Sequence, residues 1–176
     1  MMDNESKGVH MNTIGKAMQD AMNEQLNKEM FSSYLYLSMA AYFEAENLPG
    51  FANWMSIQSG EEREHAMKFY HFILERGGKV ELKAIAAPKP EWKSALEAVE
   101  EVAGHEALIS SSIFSLYELA QKEKDYPAQV MLQWFIAEQV EEEDNAAKVL
   151  ADMKRIEAHE TAILMLDHRL SKRKEE

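Results

Sequence analysis

Glycine and proline are rare in this chain, and they cluster at a few positions that divide it into long uninterrupted segments. The 176 residues include 7 glycines and 4 prolines. Because these two residues interrupt helices, and because the segments between them are rich in Ala, Leu, Met, Glu and Lys, each segment is predicted to form one helix. The predicted helices cover residues 13–46, 51–76, 91–124 and 127–157.

The lengths of the connections indicate how these helices are arranged. The joins around Pro49 and Pro127 are short, whereas residues 79–90 form a long connection without helical periodicity. Two short joins and one long join are the connectivity of a bundle in which two antiparallel hairpins are linked by a crossover. The sequence therefore predicts an all-α fold, a four-helix bundle with one long crossover and a short fifth C-terminal helix at residues 159–170. We expect a flexible segment at 1–12, the bundle at 13–157, and the fifth helix with a charged tail at 158–176.

Composition narrows the classes of protein to which the chain can belong. It has no cysteine, which excludes disulfides and thiolate metal ligands and favours a reducing, cytoplasmic location. The N-terminal residues do not read as a signal peptide, and no apolar run approaches the length of about 20 residues that spans a bilayer, so no membrane association is expected. The net charge of -12 repels nucleic acid and attracts cations, although many proteins are acidic only for solubility.

An apolar stripe at helical spacing runs along each predicted helix, and polar residues interrupt every stripe near its middle. The interrupting residues are Glu29 and Ser33 in the first helix, Gln58, Glu62 and His65 in the second, Glu106 in the third, and Glu138 and Glu142 in the fourth. In the second hairpin, Glu106 lies 19 residues before Asp125 and Glu142 lies 17 residues after it, which predicts nearly equal depths. In the first hairpin, the same kind of count leaves Glu29 and Glu62 offset by about 9 Å.

Carboxylates inside a helix bundle need a positive partner. An ionised carboxylate in a low-dielectric core costs several kcal/mol unless it is paired. No lysine or arginine falls on the four stripes near these positions, so a metal cluster is the favoured remedy. Carboxylate oxygens together with one imidazole suit iron, manganese or zinc, and a shared carboxylate bridges two ions.

Each of these signals has an ordinary explanation when it stands alone. A single glutamate on an apolar stripe is more often a surface residue than a ligand, and a Glu-x-x-His pair such as Glu62 and His65 occurs by chance on many helices. The acidic run at residues 141–144 is typical of a solvated face. The metal hypothesis depends on coincidence, because all four stripes are broken by the residue types that a two-metal site requires.

Several stretches around these positions resemble the prokaryotic non-haem ferritins, and the resemblance extends over residues 12–170. It is carried by Leu26-Asn27-Lys28-Glu29, Ser33-Tyr34-Leu35-Tyr36, Glu61-Glu62-Arg63-Glu64-His65, His105-Glu106, and the sequence QWFIAEQVEEE at residues 133–143. The resemblance implies a ferritin-like bundle that acts as a ferroxidase, oxidising Fe(II) to Fe(III) with dioxygen or hydrogen peroxide. It also implies storage of ferric mineral inside a hollow homo-oligomer of 24 subunits.

Carried over to this sequence, the resemblance implies a di-iron centre inside the bundle. One iron ion is bound by Glu29, Glu62 and His65. The second is bound by Glu62, Glu106 and Glu142. Glu62 is then the bridging ligand.

Further residues take their implied roles from the same resemblance. Gln139 is implied to lie beside the second ion. A third iron site is implied to form between Glu142 and three further carboxylates, namely Glu61, Glu138 and Glu141. Tyr36 is implied to be a nearby redox-active tyrosine, although its spacing is equally consistent with an ordinary core tyrosine whose hydroxyl is hydrogen-bonded.

One departure from the wider di-iron class separates the candidate functions. Bacterioferritins, rubrerythrins and di-iron oxygenases carry a second Glu-x-x-His on the fourth helix, whereas Asn145 stands three residues after Glu142 here. The implied asymmetry favours an iron entry port over a di-iron oxidase or rubrerythrin-like peroxidase acting on peroxide or a small substrate. A helical interaction module, or a subunit that stores already oxidised iron, is the non-catalytic alternative. Met55 resembles a haem-ligating methionine only weakly and fits the apolar stripe, so no haem is expected.

Overall fold

The fold consists of five helices within residues 13–156 and 159–174, the part of the chain that the computed structural model describes. They are α1 (Lys16–Ala45), α2 (Pro49–Glu75), α3 (Ala95–Glu123), α4 (Tyr126–Ile156) and α5 (Glu160–Leu170). No strand occurs in these ranges. The predicted all-α class, with four long helices and a short fifth, is confirmed. The expectation of a flexible segment at residues 1–12 concerns residues outside the described ranges.

The helix ends follow local chemistry. Pro49 occupies the first turn of α2, where its missing N–H costs nothing, so this helix begins two residues before the predicted start at Phe51. Ser94 caps α3 by accepting a hydrogen bond from the amide of Glu97 at 3.1 Å. Lys124 ends the same helix in the left-handed conformation at φ 54°. The joins between α1 and α2 and between α3 and α4 are therefore short, and the two helices of each pair run antiparallel.

Helix α1 packs along α2, and α3 packs along α4, so the chain forms two antiparallel hairpins. The long connection between them runs along α1 and is hydrogen-bonded to it at several places. The side chain of Asn23 bonds the backbone of Lys79 at 3.0 Å and of Glu81 at 2.8 Å, and Ser38 donates to the carbonyl of Lys89 at 2.8 Å. The predicted crossover is therefore held against the bundle over much of its length.

The core is divided into two apolar halves by a polar middle. One half, towards α5, includes Met39, Phe43, Phe51, Met55, Val102 and Ala146. The other half includes Met22, Leu26, Phe69, Ile109, Ile113 and Phe135. Along every long helix, the polar residues that interrupt the stripe lie between these halves. Packing on both sides fixes the positions of the polar side chains between them.

Helix α5 is attached to the start of α2 by a buried carboxylate. Asp167 accepts hydrogen bonds from the amides of Gly50 at 2.7 Å and Phe51 at 3.0 Å. A negative charge is favourable at this end of a helix, where the first amides have no partner within the helix. A Cβ atom on Gly50 would lie 1.7 Å from the carbonyl oxygen of Asp167, so only glycine permits this approach. No helix in the described residues has the length and apolar character needed to cross a membrane.

Candidate metal centre

The first hairpin places Glu29 level with His65. Glu29 lies 16 residues before the end of α1 at Ala45, and His65 lies 16 residues after the start of α2 at Pro49. Glu62 lies 13 residues after that start, so its offset from Glu29 is about 4.5 Å rather than the predicted value of about 9 Å. The predicted offset was wrong because α1 ends at Ala45, one residue before the predicted end, and α2 begins at Pro49, two residues before the predicted start.

Three of the predicted ligands form one compact buried group. One ligand atom from each of Glu29, Glu62 and His65 lies within 4.8 Å of the other two. The His65 Nδ1 atom is 3.4 Å from Glu62 Oε2. The imidazole is held by ring contacts with Trp134 and Phe135, at centroid distances of 5.5 and 5.8 Å. Its position is therefore set by α4 as well as by its own helix.

The carboxylates of this group carry unpaired oxygens. Within the described ranges, the buried side-chain oxygens without a hydrogen-bond partner are Oε2 of Glu29 and both oxygens of Glu62. Buried polar atoms are nearly always hydrogen-bonded, because leaving one unpaired costs free energy. Three such oxygens beside an imidazole match the donor set of a metal ion that prefers oxygen and nitrogen ligands.

Glu106 and Glu142 approach the group from the second hairpin, but both are hydrogen-bonded and neither belongs to the 4.8 Å group. Glu106 accepts a hydrogen bond from the Tyr36 hydroxyl and another from Gln139 at 3.3 Å. Glu142 accepts one from Gln58 Nε2 at 2.8 Å. Tyr36, Gln139 and both glutamates are buried, so four of the sequence-predicted residues meet across the bundle at this level.

Burial and mutual repulsion favour the protonated forms of these carboxyl groups. Burial, followed by the charge of Glu62, raises the pKa of Glu29 well above its usual range, and burial with the charges of Glu106 and Glu142 does the same for Glu62. Burial also raises the pKa of Glu106. Burial and then the charge of Glu106 raise the pKa of Glu142 to about 7. A bound cation reverses this preference, because it stabilises the ionised ligands.

The remaining acidic candidates line an adjoining cavity of about 340 Å³. Glu61 and Glu138 are half-buried, Glu141 is exposed, and Glu142 connects this cavity to the buried group. Glu138 Oε1 lies 3.9 Å from the Nε2 atom of His65. The three carboxylates thus surround a space that is open to solvent on one side and borders the inner group on the other.

Sequence reasoning missed residues that orient the ligands. Gln25 donates to Glu29 at 2.8 Å, a contact that its i,i+4 spacing on α1 was sufficient to suggest. The sequence identified Gln58 as a polar residue on its apolar stripe, but it did not indicate that Gln58 is hydrogen-bonded to Glu142. The tail residue Arg173 bonds Glu61 at 2.9 Å, whereas the sequence indicated no basic residue near the site. No sequence signal identifies Arg173, because its position depends on the docking of α5.

A four-helix bundle with a buried carboxylate and histidine group at its middle belongs to the class of helical bundles that carry metal sites between their helices. A family model described as ferritin-like domain matches residues 19–156. The chain belongs to the ferritin family, as the resemblance predicted.

The relatives agree with this assignment over nearly the whole chain. The chain is 41% identical over 160 residues to a bacterial non-heme ferritin of Bacteroides fragilis, covering 91% of this chain and 99% of the relative. It is 35% identical to a bacterial non-heme ferritin of Staphylococcus aureus, covering 91% and 96%. The crystal structure of an open pore ferritin from the archaeon Archaeoglobus fulgidus superimposes with a TM-score of 0.91 at 46% identity, covering 92% of this chain and 100% of that one.

Proposed function

We propose that this chain is the subunit of a cytoplasmic iron-storage ferritin that oxidises Fe(II) to Fe(III) at a di-iron ferroxidase centre inside the bundle. The observation that carries the proposal is the set of unpartnered oxygens on Glu29 and Glu62 beside His65. Membership in the ferritin family supports iron as the metal.

The two ferrous ions have unequal proposed environments. Glu29, Glu62 and His65 bind the first ion, and Glu62, Glu106 and Glu142 bind the second, so Glu62 bridges them. The first set is supported by the distances between its ligand atoms, which all lie within 4.8 Å of one another. Support for the second is the position of Glu106 and Glu142 beside Glu62, because after burial their charges are the next largest causes of the raised pKa of the Glu62 carboxyl. Gln139, which donates to Glu106, is proposed to lie beside the second ion.

In the proposed reaction, each ferrous ion gives up one electron. Dioxygen accepts the two electrons and two protons and leaves as hydrogen peroxide, and the peroxide is in turn an oxidant for a further ferrous pair. The carboxylates stabilise the increase in positive charge at the metal, because their oxygens are hard ligands that favour the ferric state. Their role is to hold two ions close together and to supply negative charge.

Tyr36 is the proposed redox-active tyrosine. Its hydroxyl donates a hydrogen bond to Glu106, and burial followed by the charge of Glu106 raises the pKa of the phenol well above its usual range. The neutral phenol therefore stays protonated in the resting site. With iron and an oxidant present, the phenol would lose its proton together with an electron, and Glu106 is the hydrogen-bonded acceptor for that proton.

The acidic cavity beside the centre is the proposed third iron site, with Glu61, Glu138, Glu141 and Glu142 as ligands. Its border with the di-iron centre through Glu142 supports it as a place through which iron leaves. Ferric product is proposed to mineralise inside a shell of 24 subunits. Haem takes no part in this scheme.

The decisive experiment compares matched double variants on α2. Glu62→Ala with His65→Ala removes the bridging carboxylate and the imidazole, and we expect loss of rapid aerobic oxidation of Fe(II), followed by the absorbance of ferric iron. Glu64→Ala with His71→Ala removes the same residue types from exposed positions of the same helix and is the control. Unchanged oxidation and iron loading in the first variant contradict the proposed centre.

Particle mass in solution tests the storage role separately. A ferritin shell has a mass about 24 times that of the 20.2 kDa chain. Native mass spectrometry of the purified protein measures this ratio directly. A dimer contradicts storage in a shell and instead supports the rubrerythrin-like peroxidase or oxidase.

A further inference from the structure

Arg173 introduces a positive charge into the acidic cavity beside the di-iron centre. It lies three residues beyond the end of α5, in the C-terminal tail. Its Nη2 atom is 2.9 Å from Glu61 Oε2 and 3.3 Å from Glu61 Oε1, so the guanidinium contacts both carboxylate oxygens. The two side chains are only 25% and 24% exposed, which screens this ion pair less than one on the open surface.

The same guanidinium is connected to a proposed iron ligand through one glutamine. Arg173 Nη1 donates to the side-chain oxygen of Gln58, and the Gln58 amide nitrogen donates to Glu142 Oε2 at 2.8 Å. The Gln58 amide oxygen therefore has a hydrogen-bond donor as its partner, and the Gln58 amide nitrogen has an acceptor. Arg173 is thereby linked through Gln58 to Glu142, the carboxylate that borders both the cavity and the proposed di-iron centre.

Two other basic residues line the cavity and have different partners. Lys148 is paired with Asp144 on the same helix, and Arg169 is paired with Asp152 at 2.6 Å. Neither Asp144 nor Asp152 belongs to the proposed third site. Arg169 is therefore a matched control, because it lines the same cavity, carries the same charge and lies close to Arg173 in sequence.

We propose that Arg173 is the resident cation of the third metal site, so that a divalent ion binds there only by displacing the guanidinium from Glu61. This inference rests on the proposed function, because it takes the acidic cavity as an iron site. A guanidinium and a metal ion compete for the same oxygens, and two cations so close together repel each other. Arg173 accordingly weakens the third site, and its displacement releases Gln58 from the contact that orients it towards Glu142.

The test measures binding of Zn²⁺, a divalent ion with no redox chemistry, to the assembled iron-free protein by calorimetry. We expect Arg173→Gln to tighten the weakest of three binding events by about tenfold or more. Arg173→Lys, which keeps a charge, should change this event much less, and Arg169→Gln should leave it unchanged. Of the two tighter events, which are assigned to the di-iron centre, the one assigned to Glu29, Glu62 and His65 should be the same in all four proteins, because those ligands are not linked to Arg173 through Gln58.

Several outcomes would overturn the inference while leaving the proposed function intact. They are an unchanged or weakened third event in Arg173→Gln, or the absence of a third event in that variant. Weakening would mean that Arg173 orients Glu61 for metal binding and does not compete with the metal. The proposed function fails by a different result, namely that Glu62→Ala leaves the two tighter events unaltered. A crystal structure with zinc adds a direct readout, because the guanidinium should move away from Glu61 when the third site is filled.

Discussion

Gln25 donates a hydrogen bond to one oxygen of Glu29 at 2.8 Å and leaves the other oxygen without a partner. Gln25 is itself fixed from the second hairpin, because Ser112 donates to its side-chain oxygen at 2.6 Å. Lys28 in turn donates to Ser112 at 2.5 Å. The orientation of this proposed iron ligand therefore depends on a chain of contacts that begins at Lys28 on α1, passes through Ser112 on α3 and returns to Gln25 on α1.

Substitution of Gln25 should weaken metal binding without removing a ligand. In Gln25→Ala, Glu29 loses the contact that orients it, and loss of such a partner typically reduces metal affinity by about 10–100-fold. Zinc calorimetry on the iron-free protein measures the effect at the tighter sites. Gln133→Ala, at an exposed position on α4, is the control and should bind as the original protein does. Equal affinities in the two variants would show that Gln25 does not position Glu29.

Tyr36 should be the origin of any radical formed during iron oxidation. Tyr36→Phe keeps the buried ring but removes the hydroxyl that donates to Glu106, so the phenoxyl radical cannot form. Samples frozen soon after Fe(II) is mixed with dioxygen, and examined by electron paramagnetic resonance, should show the radical signal in the original protein and lose it in this variant. Tyr42→Phe on the same helix is the control. Persistence of the signal in Tyr36→Phe would assign it to another residue.

Proton release on metal binding should depend on pH through Glu142. Because its pKa is raised to about 7, this carboxyl group is mostly protonated at pH 6 and ionised at pH 9. Zinc binding should therefore displace close to one proton per subunit from Glu142 at pH 6 and almost none at pH 9. Calorimetry in buffers of different ionisation enthalpy measures this number. In Glu142→Gln the contribution should be absent at both pH values.

The same raised pKa affects the stability of the metal-free protein. The folded-state value of about 7 lies above the ordinary value of 4.5, so the folded chain retains a proton that the unfolded chain releases. The stabilisation is complete below pH 4.5 and is lost as the pH rises through 7, with a total of about 3 kcal/mol. The thermal unfolding midpoint should fall less over this interval in Glu142→Gln. An identical fall in both proteins would exclude Glu142 as a source of the pH dependence.

Gly50→Ala should detach α5 from the bundle. The new Cβ atom would lie 1.7 Å from the carbonyl oxygen of Asp167, so either α2 or α5 must move. We expect faster proteolytic cleavage between α4 and α5 and a lower thermal midpoint. Gly60→Ala is the control on the same helix, because nothing lies within 4 Å of its added atom, and it should be neutral or stabilising by about 1 kcal/mol. Equal cleavage rates in the two variants would contradict this account of α5 docking.

The sequence by itself determined the helices and the residue types at their middle. Helical periodicity and helix ends are local properties, so four long helices, the crossover and the short fifth helix were predicted within a few residues. The same periodicity identified Glu29, Glu62 and His65 as polar residues on buried stripes. These are the three residues that the tertiary structure brings within 4.8 Å of one another.

Only the tertiary structure decided how these residues are oriented and what else reaches them. The depth of Glu62 relative to Glu29 depends on where α2 begins, and a shift of two residues at Pro49 changes it by about 3 Å. The contacts of Gln25 with Ser112 and of Arg173 with Glu61 join residues separated by 87 and 112 positions. Such contacts depend on how whole helices pack, and helix packing has no local signature in the sequence.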